Sequence, residues 1–152
     1  ECPGMSISGI TRMPRSRAVR MERHTAPGLW VAEWRAHRRG VTRVPYPGLA
    51  SPPDHEPARR ILGGTGGMVG VELKGGARAA ERFLRALRIV THAPSLGGVE
   101  TLVSEPRITS HASLTPDQRA EAGIPDGFLR LSVGLEDADD LIADIAQALA
   151  SI

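Results

Sequence analysis

The segment from Phe128 to Leu149, FLRLSVGLEDADDLIADIAQAL, runs a strand straight into a helix. Apolar residues alternate first: Leu129, Leu131, Val133 and Leu135 share one side, and Phe128, Arg130, Ser132 and Gly134 the other. The period then becomes helical, with Leu141, Ile142, Ile145, Leu149 and Ile152 on one stripe. Asp137 stands where an N-cap is needed, and the acids beside it favour the first helical turn. The leucines must meet the helices, so Arg130 points to the opposite face of its sheet. A guanidinium is costly to bury alone. Arg130 is therefore solvated, paired with an acid of the following turn, or directed at an anionic ligand. Its fork of donors matches a carboxylate in bidentate fashion. Periodicity leaves the ion pair and the ligand both open.

Elsewhere the pattern alternates between short strands and helices. Residues 1–9 read as irregular. From Ile10 to Arg39 the pattern is helical, with Pro14 and Pro27 expected to kink or split it. GVTRVPYPGL reads as a short strand and turn, HEPARRIL as a short helix with Pro57 in its first turn, and GMVGVEL as a strand closed by KGG. ARAAERFLRALRIV is an amphipathic helix with Ala80, Phe83, Leu84 and Leu87 on one stripe. VTHAPSLGGVETLVSEP reads as two extended pieces around a Gly-Gly turn. TPDQRAEAG opens with a capping box of Thr115 and Gln118, with Pro116 at the first helical position. These elements predict an α+β two-layer domain with a three- to five-stranded sheet and helices over one face.

Length and charge narrow the function classes. A chain of 152 residues suffices for one domain with a core. It has no apolar run of the roughly 18–20 residues that a membrane helix needs, so no membrane partner is expected. Its start lacks the apolar core of a secretory signal. The single cysteine, Cys2, permits no internal disulfide, and the expected location is the cytoplasm. Net charge is +6 over residues 1–43, +3 over 44–94 and −7 over 95–152. The basic front invites a nucleic-acid reading, but aromatics are few and the arginines scatter among apolar helix positions. No nucleic-acid partner is expected.

Several residues invite chemistry. LGGTGGMVG resembles a phosphate cradle, yet Val69 occupies the place of the third required glycine, and a strand follows the glycines where a helix is needed. A flexible connection into a strand is the expectation. The five histidines, His24, His37, His55, His92 and His111, form no close helical pair, and no metal site is expected. Ser95 has no neighbouring base and reads as a hydrogen-bond donor beside Gly97 and Gly98. His111 reads as structural, near a helix start.

Four segments carry a family resemblance: VPYPGLASPPDHEPARR, GGTGGMVGVELKGGARAAERFL, SLGGVETL, and the run from PRITSHASLTP through RLSVGLED to the last helix. Together they resemble, in order over about 130 residues, the C-terminal part of the Cys/Met-metabolism family of pyridoxal-phosphate enzymes. This is the family of cystathionine synthases and lyases, methionine γ-lyase and O-acylhomoserine sulfhydrylases. The resemblance implies a connecting helix within residues 1–39, whose start matches poorly. Residues 40–152 would then be a small, mainly antiparallel C-terminal domain of a fold-type I enzyme, the large cofactor domain being absent. It also implies elimination or replacement at Cβ or Cγ of sulfur amino acids or activated homoserine, an amino-acid substrate, and a homo-oligomer, tetrameric in the family. By the same resemblance Arg130 and Ser95 bind the substrate α-carboxylate. Pro94 stands where synthases and γ-lyases usually carry an acid, and Pro45 where an aromatic is common. The cofactor's Schiff-base lysine has no counterpart. Lys74, the only lysine, lies in a turn of the small domain. The alternative implied is a truncated, non-catalytic module that docks on a full-length relative.

Overall fold

The computed structural model describes residues 17–36, 38–50 and 55–152. Cys2, Pro14, His37 and the irregular start lie outside the described residues. In chain order the elements are α1 (Arg17–Ala36), β1 (Val41–Arg43), α2 (His55–Ile61), β2 (Met68–Leu73), α3 (Gly76–Ala86), β3 (Thr91–His92), β4 (Leu102–Ser104), α4 (Pro116–Glu121), β5 (Phe128–Ser132) and α5 (Ala138–Leu149). The strands form one sheet in the order β1-β2-β5-β4-β3. Every pairing is antiparallel except β3 with β4. The expected α+β domain is therefore observed, with a mixed sheet.

The register follows the alternation of β5. Val69 and Val71 lie opposite Leu131 and Leu129, and Val103 opposite Leu131 on the other flank. These five residues are sealed from solvent together with Phe83 of α3, Leu141 and Ile145 of α5, and Val31 of α1. Each such side chain stabilises the fold by about 1.5–3 kcal/mol. The other face presents Met68, Gly70 and Glu72 of β2 against Ser132, Arg130 and Phe128 of β5. Both helix starts behave as read. Thr115 and Gln118 form the reciprocal capping box, and the Asp137 side chain accepts from the Asp139 N–H at 2.9 Å.

Four expectations need correction. First, of the kink or split expected at Pro27, the split does not occur: α1 is continuous through it. Packing overrides the missing N–H: Val31, Ala32 and Arg35 behind the proline are fully buried. Gly28 also lies so close to Gly66 and Gly67 that a side chain there would collide with their backbone. Second, Gly66 and Gly67 are accordingly not a loose connection but buried contact points beneath α1. Third, Leu135 is not a core residue but 43% exposed. The strand ends at Ser132, and the Leu135 N–H turns to the Val99 carbonyl at 2.8 Å. Fourth, α3 stops at Ala86 rather than running on through Val90. The Asp144 carboxylate of α5 takes the N–H groups of Arg88, Ile89 and Val90 at 2.9–3.0 Å, which turns that segment out of the helix.

Candidate functional site

Arg130 lies midway along the central strand β5, between Gly70 of β2 and Ser104 of β4. It is partly exposed, on the face away from the helix-covered core. Its Nε is buried and has no hydrogen-bond partner. The acids of the following turn are engaged elsewhere. Glu136 accepts from the Thr101 N–H at 2.5 Å and the Thr101 hydroxyl at 2.6 Å, and Asp137 caps α5. The residue is only partly buried, so its fork of donors keeps a solvent-facing side that an anion can meet.

Ser95 is exposed in the loop between β3 and β4. That loop is tied to β5: the Gly97 N–H donates to Ser132 Oγ at 2.9 Å, and Arg20 Nη1 of α1 donates to the Gly97 carbonyl at 3.2 Å. Ser132 is two residues from Arg130 on the same face, so the structure brings the loop of Ser95 to the Arg130 strand. A cavity of about 290 Å³ opens beside Ser132, lined by Met21, His24, Leu62, Met68 and Leu96 among others.

The remaining candidates take structural positions. His24 contacts the Gly134 carbonyl at 3.2 Å, His55 the Pro47 carbonyl at 3.1 Å, and His111 the Ser110 hydroxyl at 2.8 Å. His92 lies 3.8 Å from Glu105. Among the described residues no group of three or more His, Cys, Asp or Glu could hold a metal, and no helix is long and apolar enough to cross a membrane. Lys74 is exposed in the turn between β2 and α3.

One charged residue escaped the sequence reading. Arg35 of α1 is fully buried, and none of its three guanidinium nitrogens has a hydrogen-bond partner. It lies over the Phe83 ring, 5.0 Å from the centroid. Burial pushes its pKa down to about 9, which leaves it charged at neutral pH. Its place four residues after Val31 on the apolar stripe was the available signal.

Comparison with known proteins places the whole chain. The model of the Cys/Met metabolism PLP-dependent enzymes matches residues 10–150. The chain belongs to that family. It is 47% identical over 134 residues to the O-succinylhomoserine sulfhydrylase of Pseudomonas aeruginosa, covering 88% of this chain and 33% of the relative. It is 48% identical over 131 residues to the L-methionine gamma-lyase of Pseudomonas putida, covering 86% and 33%. To the cystathionine gamma-lyase of Macaca fascicularis it is also 48% identical over 131 residues, covering 86% and 32%. The chain thus spans about a third of the length of these curated relatives.

The family's cofactor is pyridoxal phosphate, and the residues of this chain do not fit it. An amine that forms a Schiff base is activated by desolvation or by a neighbouring cation. Lys74, the sole lysine, is exposed in its turn.

Proposed function

We propose that this chain is the substrate-side part of a pyridoxal-phosphate-dependent, transsulfuration-type enzyme. The reaction class is elimination or replacement at Cβ or Cγ of a sulfur amino acid or an activated homoserine. In this reading α1 is the connecting helix, and residues 40–152 are the small C-terminal domain of a fold-type I enzyme. Arg130, with Ser95 beside it, holds the substrate α-carboxylate and fixes the orientation of the Cα bonds, which is how positioning lowers a barrier. The observation that carries the reading is the buried, unmet Arg130 Nε on the face away from the core. The printed activities of the relatives supply the reaction class. A homo-oligomer and a cytoplasmic setting belong to the same proposal.

Calorimetric titration of the chain tests it. L-Methionine should bind and L-methioninamide, which lacks the carboxylate, should not. Arg130→Lys should lose most of the binding, because an ammonium cannot reproduce two parallel bonds to a carboxylate. Equal binding of the acid and the amide, or an unaffected Arg130→Lys variant, contradicts the reading.

A second reading, a module without chemistry of its own that docks on a full-length relative, is favoured by the exposed position of the lone Lys74. Size-exclusion chromatography of the chain mixed with the O-succinylhomoserine sulfhydrylase of Pseudomonas aeruginosa tests the docking: co-elution supports the second reading, and separate elution removes it.

A further inference from the structure

The loop that carries Ser95 does not rest on β5 by a single contact. It is laced to the chain beyond the strand in a regular sequence. Thr101 meets Glu136 twice, through its N–H and its hydroxyl, and its hydroxyl oxygen also accepts the Gly134 N–H at 2.8 Å. The Val99 carbonyl takes the Leu135 N–H at 2.8 Å. The Gly97 N–H reaches Ser132 Oγ at 2.9 Å. As the loop is followed back from residue 101 to 97, its partners move back from 136 to 132. From the Gly97–Ser132 tether, Ser95 is two residues back along the loop and Arg130 two residues back along the strand, on the same face as Ser132.

We propose that Thr101 and Glu136, with Gly134, form a clasp that positions Ser95 over Arg130, a role that rests on the carboxylate-site reading above. Three features distinguish it from an ordinary loop contact. Thr101 is fully buried and uses its hydroxyl in both directions, donating to Glu136 and accepting from Gly134. Gly134 has no room for a side chain, since a Cβ would collide with the Val99 carbonyl, the Glu100 backbone and the Glu136 carboxylate. The clasp also occupies both oxygens of Glu136, an acid six residues past Arg130. The two most distinctive sequence blocks, SLGGVETL and RLSVGLED, are thus the two halves of one device.

Thr101→Val keeps the shape and removes the hydroxyl, orphaning the Gly134 N–H and one Glu136 oxygen. Thr101→Ser keeps the hydroxyl. Two readouts on the full chain decide: the affinity for L-methionine, and the hydrogen-exchange protection of the Gly97 amide. Thr101→Val should weaken L-methionine binding by about tenfold, the equivalent of one lost hydrogen bond, and deprotect Gly97. Thr101→Ser should restore both. Ser132→Ala, which removes only the Gly97 tether, should deprotect Gly97 and weaken binding less, and it serves where Thr101→Val does not fold. Unchanged Gly97 protection in a folded Thr101→Val or Ser132→Ala chain overturns the clasp. So does unchanged affinity in Thr101→Val, or the failure of Thr101→Ser to restore it. If the unsubstituted chain binds no carboxylate, the site reading fails by itself, and Gly97 protection alone judges whether the clasp places the loop.

Discussion

Arg35 and Arg130 are both arginines set in apolar-patterned elements, and both leave guanidinium nitrogen without a hydrogen-bond partner. They lie on opposite sides of the molecule's plan. Arg35 is sealed between α1 and α3, with the Phe83 ring as its neighbour. Arg130 is partly exposed on the far face of the sheet, where solvent and a ligand can arrive. The same orphaned donor has opposite meanings in the two places. Where nothing can reach it, a desolvated cation subtracts from stability. Where the rest of the fork stays partly exposed, as at Arg130, an anion can approach the guanidinium. Asp144 marks what a satisfied buried charge looks like: three backbone N–H groups and the Gln147 amide surround its carboxylate.

Four substitutions sharpen that contrast. Leu131→Ala, beside Arg130 but facing the core, should have the largest effect, a loss of about 2–5 kcal/mol in denaturant unfolding. Arg35→Met should go the other way, raising stability by about 1–4 kcal/mol, the range seen when buried ionic groups give way to apolar ones. A loss of stability there would mean that the Phe83 contact outweighs the desolvation of the cation. Asp144→Asn should cost about 1–3 kcal/mol at neutral pH, because an amide cannot accept from all three N–H groups. Its effect also depends on pH. Burial alone would raise the Asp144 pKa, but the N–H groups of Val90, Ile89 and Arg88 and the Gln147 amide more than offset this and hold it below the ordinary value. The contribution is then complete above about pH 4, the unfolded aspartate range, and is lost as pH falls through the lower folded value. Thermal melts from pH 6 to pH 2 should show a flatter acid limb in Asp144→Asn than in the parent chain. Arg130→Met should have the smallest effect on stability, within about 0.5 kcal/mol, while abolishing carboxylate binding.

The contrast between the two arginines was half legible in the sequence. Strict alternation in FLRLS places Arg130 opposite the leucines whatever the rest of the fold does, and the β2–β5 register bears this out. The caps at Thr115 and Asp137 were equally legible, because a cap is a local bond between residues three or fewer apart. Arg35 was not. A charged residue on an apolar stripe normally extends its tip into water, and contacts distant along the chain, Phe83 of α3 among them, close that exit. The split expected at Pro27 fails for the same reason, since tertiary contacts hold α1 together through a residue that locally opposes it. The Thr101–Glu136 clasp joins segments 35 residues apart, and each half alone reads as a turn.

The most direct test of the account observes both arginines at once. In a chain labelled with ¹⁵N at arginine, the Nε–Hε signals of Arg35 and Arg130 can be assigned by Arg35→Met and Arg130→Met. On titration with L-methionine, Arg130 Nε should shift and its Hε should become protected from exchange, while Arg35 stays where it was. L-Methioninamide should move neither. A chain in which L-methionine leaves Arg130 unmoved, or moves it no more than the amide does, contradicts the assignment of this face to a substrate carboxylate.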